Sequence, residues 1–346
     1  MLKKRLEVLD EFHKDCVSKL PGNALVLSSA DLFMQPLVKE LIEDTPNDGP
    51  EFTLSNLDPV KDSFLEISRE WIEEVKSELF AMVKAEVYIP SNGEHEDDID
   101  THLELATTFF HCSGCSEDSY RGSPGTLFRY KRAIAHACTG EWDPGTELPE
   151  TETLETLREN LKKLPWNADD RISFNSRAHY TMRDMIALCD LDPDTTTAKE
   201  MNALDPIFEC LTCNSQSNGR CIMTWECVVQ HEQDNGPHGE PMRETNNKCE
   251  AKFVLLDEEE ANVVRQRMAE ELARERASDG YRGLCCPACR LQGNSVNLAD
   301  ESHKCWNMGT INKVIPCIDH RQYPVEYWLW PPRNQVPLDI ESTEID

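Results

Sequence analysis

The chain has 346 residues, of which 39% are hydrophobic and 7% aromatic, enough for two or three domains with a modest core. Its formal net charge of -29 repels nucleic-acid phosphates and anionic membrane surfaces at long range. No window approaches the apolar run that crosses a bilayer, and the opening MLKKRLEVLDEF has basic residues without the apolar stretch of a secretory signal. The expected address is therefore the cytoplasm or the nucleus. For such a reducing compartment, 15 cysteines are many; when clustered there, they more often bind metal or do redox chemistry than form disulfides.

Residues 1–89 read as a helical domain. Leu2, Leu6, Leu9, Phe12, Cys16 and Leu20 fall on one helical stripe, ended by Pro21-Gly22. DLFMQPLVKELIED predicts a second helix beginning properly near Pro36. A third carries Phe64, Ile67, Trp71, Val75, Leu79 and Met82 on one face and Glu66, Arg69, Glu70, Glu73, Glu74 and Lys76 on the other, a core stripe backed by a solvated face. Residues 90–104, with Pro90, Gly93 and a run of acids, read as an acidic linker. TETLETLRENLKKL, RAHYTMRDMIALCDL and PDTTTAKEMNALDP each predict a helix, the last capped by Thr196 or Thr197. Glu258 to Ala277 predicts a long charged helix with the narrow stripe Ala261, Val264, Met268 and Leu272. Residues 331–346 read as an acidic, Pro-containing tail that frays.

Three stretches, FHCSGC, FECLTC and LCCPAC, open copies of a longer repeat. An apolar residue (Phe110, Phe208, Leu284) stands two positions before the first cysteine of a Cys-x-x-Cys pair. A turn-rich segment follows. After it, an apolar residue at every third position leads to a ligand type: Tyr130, Ala133, His136; Trp225, Val228, His231; and Ile311, Val314, Cys317. Cys-x-x-Cys on a tight turn aims two thiolates at one ion, and a helix supplies further donors from one face. Zinc accepts this mixture of sulfur and imidazole nitrogen in a tetrahedron.

The expected ligand sets are Cys112, Cys115, His136 and Cys138; then Cys210, Cys213, His231 and His238; then Cys286, Cys289, Cys317 and His320. The spacing from His231 to His238 runs one residue beyond the usual range. In the third set His303 and Cys305 form an alternative pair, and Cys285 can replace Cys286. Cys16, Cys189, Cys221, Cys227 and Cys249 read as plain buried thiols. A closed four-ligand site has no open position for catalysis, so two or three structural Zn2+ ions are expected, and no catalytic or cofactor-binding residue is assigned. A redox role for Cys112 and Cys115 needs a thioredoxin-like βαβ context, which the neighbouring sequence lacks.

Further stretches carry a resemblance: SADLFMQPLVKELIEDTP, the Glu-Trp of ISREWIEEVKSEL, LATTFFHCSGC, ALCDLDPDTTTAKEMNALDPIFECLTC and MTWECVVQH. Over most of its length the chain resembles an F-box-associated family from mushroom-forming fungi with zinc-finger-like Cys/His modules. The resemblance implies such modules here and, in members with an F-box, ubiquitin-ligase adaptor work. Two departures stand out. LPGNALVLSSADLF begins with Leu-Pro but lacks the leucine-rich helical pattern of an F-box, and Cys317 stands where a histidine is expected, leaving a sulfur donor in place.

The expected fold is mainly α with small β-hairpin/helix zinc modules, multi-domain and irregular. It divides into the helical domain 1–89, the linker 90–104, a first module 105–165, helices plus a second module 166–255, a long helix plus a third module 256–330, and the tail 331–346. The expected function is an intracellular scaffold or adaptor binding a protein partner. The alternative is a nucleic-acid-binding regulator, but DNA-reading fingers carry basic helices, and TWECVVQ before His231 has no Lys or Arg. An enzyme is least supported. A zinc protease needs His-Glu-x-x-His within one helical turn, whereas HEQDNGPH places Gly236-Pro237 between its histidines. There is no Gly-rich phosphate loop and no Gly-x-Ser-x-Gly elbow.

Overall fold

The computed structural model describes residues 2–20, 24–46, 49–87, 99–113, 127–140, 151–215, 219–233 and 252–278, and short strands at 284–285, 303–305, 309–311, 315–316 and 327–329. Helix α1 (Leu2–Ser18) buries Leu6, Leu9, Phe12 and Cys16 on the expected stripe, together with Arg5 and His13. Arg5 donates to the carbonyls of Ile42 (2.6 Å) and Pro46 (3.3 Å). The helix expected from Pro36 is in fact two, α2 (Ser29–Met34) and α3 (Pro36–Glu43). Ser28 and Asp31 form a reciprocal capping box that starts α2 before the proline. Pro36 lacks an N–H and forces the preceding Gln35 into extended backbone, φ -67° and ψ 129°, which breaks the run.

Past a 3-10 turn (Leu54–Leu57) and the short α4 (Asp58–Lys61), helix α5 (Phe64–Glu86) buries Phe64, Trp71, Val75, Leu79, Phe80 and Val83. Its outer face exposes Glu66, Arg69, Glu70, Glu73 and Glu74. The expected acidic linker holds a helix at its end, α6 (Ile99–Glu104). Ile99 and Leu103 lie one turn apart, and Leu103 is fully buried. Asp100 pairs with Lys76 of α5 at 2.8 Å, so an acid counted there as solvating instead docks the helix.

A three-stranded antiparallel sheet follows, with β1 (Phe110–Cys112) central between β2 (Leu127–Phe128) and β3 (Ile172–Phe174). Helix α7 (Tyr130–Ile134), a 3-10 turn (Ala137–Thr139) and α8 (Glu152–Leu161) lie between β2 and β3. One apolar core runs from α1 to this sheet and includes Leu6, Phe33, Leu79, Phe110, Ile134 and Phe174. The boundary expected between 1–89 and 105–165 does not divide that core.

Helix α9 (Ser176–Leu188) is capped by Asn175, and α10 (Ala198–Leu204) by a Thr197–Glu200 capping box. They lead into a second antiparallel sheet of order β11-β5-β4-β6, made of β4 (Ile207–Ser215), β5 (Gly219–Thr224), β6 (Phe253–Leu255) and β11 (Tyr327–Leu329). Helix α11 (Trp225–Gln233) follows β5 directly, and α12 (Glu258–Ser278) follows β6. Strand alternation gives this sheet two different faces. Phe208, Cys210, Cys221 and Met223 pack with Met182 and Ile186 of α9 and Trp225 and Val228 of α11. Ile207 and Ile222 pack with Leu256 and with Ala261 and Val264 of α12. On that second face Arg220 donates to Glu209 Oε2 through Nε (3.0 Å) and Nη2 (2.6 Å), and to Glu260 Oε1 through Nη1 (2.7 Å). Leu105 to Phe110 joins the halves: Ala106 and Phe109 enter the second core and Phe110 the first.

Two further strand pairs complete the described residues: β7 (Leu284–Cys285) with β10 (Ile315–Pro316), and β8 (His303–Cys305) with β9 (Gly309–Ile311). The third copy thus departs from the repeat. Ile311 lies in a strand, not in a helix leading to Cys317. Pro316 cannot donate within a helix, and Ile311 and Ile315 are β-branched. The fold is mainly helical with small antiparallel sheets, and no helix among the described residues is long and apolar enough to cross a membrane.

Candidate metal centres

Cys210 and Cys213 both lie in β4, not on the expected tight turn. In a regular strand, residues three apart point to opposite faces. Here the β4–β5 pairing runs regularly from Ile207 to Cys210 and resumes at Ser215 opposite Gly219 with a shifted register. Such an irregularity re-aims side chains, and it brings Cys213 into the same buried core as Cys210. Their Sγ atoms are 3.3 Å apart, well beyond the roughly 2.05 Å of a disulfide. From α11, His231 places Nε2 3.2 Å from Cys213 Sγ. Phe253 packs edge-on against its ring at 5.9 Å. All three side chains are buried, with donor atoms within 4.8 Å of one another.

These donors suit a metal. Zinc bonds of about 2.3 Å to sulfur and 2.0 Å to nitrogen give tetrahedral edges of about 3.5–3.8 Å, close to the separations seen. Sulfur with imidazole selects zinc-like ions over calcium or magnesium, which take oxygen. The hydrogen bond between the thiols splits their proton affinities. Shared with Cys213, and helped by His231, Cys210 is held well below the ordinary thiol value. Cys213 is driven far above it by the same bond and by Cys221. A divalent cation bound between the sulfurs would displace the proton they share.

The first group joins Cys112, His136 and Cys138, again with donor atoms within 4.8 Å. Cys112 ends β1 fully buried, and Phe110 shares its face of the strand and is buried in the same core. This alternation explains the apolar residue two positions before the first cysteine in the first two copies, Phe110 before Cys112 and Phe208 before Cys210. His136 follows α7, and Phe128 of β2 stacks on its ring at 4.7 Å with 32° between planes. The turn carrying Cys138 is fastened from several sides. Thr139 Oγ1 donates to His136 O (2.6 Å), Asn167 N to Thr139 O (3.0 Å), and Trp166 Nε1 to Ala133 O (3.1 Å). Asp169, its side chain 1% exposed and paired with Arg171, borders this group. Burial first, and also the charge of Cys112, raises its proton affinity. No spacing in the sequence marks Asp169 as a neighbour of Cys112; only the pairing of β1 with β3 brings them together.

Cys115, His238, Cys286, Cys289, Cys317 and His320 lie outside the described residues, as does Cys249. The alternative pair His303 and Cys305 lies in β8, and Cys285 in β7. Cys16, Cys221 and Cys227 are buried and Cys189 partly so. No family model, curated protein or solved structure matches the chain. Among the described residues, two Cys/His groups could thus hold a metal ion.

Proposed function

We propose that the chain is a zinc-binding protein-interaction factor whose ions hold the fold rather than catalyse. The Cys210–Cys213–His231 group carries this reading. Its donors are soft, converge from a strand and a helix, and are buried among apolar side chains, the setting of a structural ion. Structural zinc of this kind contributes an apparent binding free energy on the order of 10–16 kcal/mol near neutral pH. The cytoplasm or nucleus, where thiols stay reduced, suits such ligands. The net charge of -29 and the exposed acids of α5 favour a basic protein surface over nucleic acid as partner.

The test is metal content by mass spectrometry on protein purified without added zinc, followed by circular dichroism before and after chelation. Bound zinc that leaves with loss of structure supports the proposal. A metal-free chain with a stable fold refutes it, and salt-sensitive retention on DNA would favour the nucleic-acid alternative.

A further inference from the structure

The second group shows three donors, whereas structural zinc closes with four. Spacing nominates His238 as the fourth, but the sheet offers another. Strand β5 pairs antiparallel with β4 so that Cys221 lies directly opposite Cys210. Directly opposed residues share a face, with Cβ atoms about 4.5–5.5 Å apart. That face is the metal side: Phe208, Cys210, Cys213, Cys221 and Met223 belong to one core, while Arg220 and Ile222, the neighbours of Cys221, turn to the α12 side. Cys221 is fully buried and carries a free thiol.

We infer that Cys221 is the fourth ligand of this centre, making it a three-cysteine, one-histidine site, an inference that rests on the zinc reading above. Three of the donors then come from two paired strands and the fourth from the helix that follows them, so the ion bridges β4, β5 and α11. Cys221 is not among the donors that lie within 4.8 Å of one another, so closing the tetrahedron requires its thiol to turn toward them. His238 is set against by spacing: it follows His231 by seven residues, one beyond the usual range for paired histidines. Cys227, one turn before His231 on α11, is engaged elsewhere, with Sγ 2.9 Å from Thr224 Oγ1.

The experiment measures zinc per full-length chain by mass spectrometry in the parent and in Cys210→Ser, Cys221→Ser, His238→Ala and Cys249→Ser. The expected result is loss of about one equivalent in Cys210→Ser and in Cys221→Ser, with no loss in the other two. Loss in Cys210→Ser but not in Cys221→Ser overturns the inference and leaves the zinc reading standing. No loss in Cys210→Ser removes both. Should Cys221→Ser fail to fold, cadmium NMR of the cadmium-loaded parent decides without it. The resonance abolished by Cys210→Ser should have the shift of three sulfur ligands, and a two-sulfur shift overturns the assignment.

Discussion

Chelation should act unequally on the two halves of the chain. The first core is thick, with α1, α3, α5 and a sheet packed around residues such as Phe33, Trp71 and Phe110. The second is a single four-stranded sheet, faced by α9 and α11 on one side and α12 on the other, with the Cys210–Cys213–His231 group inside the α9/α11 layer. Domains are stable by only about 5–15 kcal/mol, and structural zinc contributes on the order of 10–16 kcal/mol of apparent binding free energy. Loss of even a third of that, about 4 kcal/mol, raises local opening roughly a thousandfold. Hydrogen exchange read by mass spectrometry should therefore show protection of 207–210 and 221–223 falling by about three orders of magnitude after chelation. Peptides from α5, whose larger core also holds the Cys112 group, should lose less protection than those of the second sheet. Uniform protection in both states would refute the reasoning, because a group that stabilises nothing is not structural.

Other outcomes follow from the same contacts. Arg220→Ala leaves the fully buried Glu209 without its cation and should cost about 3–5 kcal/mol in urea denaturation; a loss under about 1 kcal/mol would show that the network is dispensable. His13 donates from Nε2 to Leu27 O at 2.7 Å, and burial pushes its pKa down from 6.5 to about 4. The folded state then resists protonation, so stability is intact above about pH 6.5 and declines as the pH falls toward about 4. Between about pH 7.5 and 5.5 this amounts to about 1.3 kcal/mol, and His13→Gln, which keeps a donor for Leu27, should flatten the urea-derived pH profile by that amount. An unchanged profile would place the dependence on other groups. Thr197→Ala removes the cap of α10, where Thr197 Oγ1 accepts from Glu200 N, and should lower stability by about 1 kcal/mol; a thermal midpoint equal to the parent's would contradict that.

Much of the helical layer was legible because its signals are local. The stripe from Phe64 to Met82 fixes which face of α5 is buried, and the sequence narrowed the cap of α10 to Thr196 or Thr197, of which the structure uses Thr197. The break at Gln35 was half legible: Pro36 announces it, but the Ser28–Asp31 box that starts a separate helix upstream needs its reciprocal bonds to be seen. The metal donors divide the same way. Cys-x-x-Cys and the residues leading to His136 and His231 are sequence patterns, and the structure brings Cys112, His136 and Cys138 together, and likewise Cys210, Cys213 and His231. That Cys210 and Cys213 sit in a strand with an irregularity was not legible, since regular alternation would have separated them. Nor was the position of Cys221 opposite Cys210, because register between strands is set by the whole buried face rather than by any spacing.

The second sheet ties its two faces to one strand. Cys221 turns toward the metal group, and its neighbour Arg220 turns toward Glu209 and Glu260. Helix α12 is thus held to the sheet by an ion network whose central residue sits one position from the inferred metal ligand. A second tether comes from Arg265, which donates to Asp205 O at 2.7 Å at the end of α10. The chain leaves this unit along α12 and re-enters it at β11, which pairs with β5 through Tyr327, Trp328 and Leu329. Strand β11 is therefore held on the same sheet strand that carries Cys221, in the unit with the second metal group. A zinc ion between β4, β5 and α11 would fix the strand with which β11 pairs, so its loss would be felt at β11 as well as at Cys210.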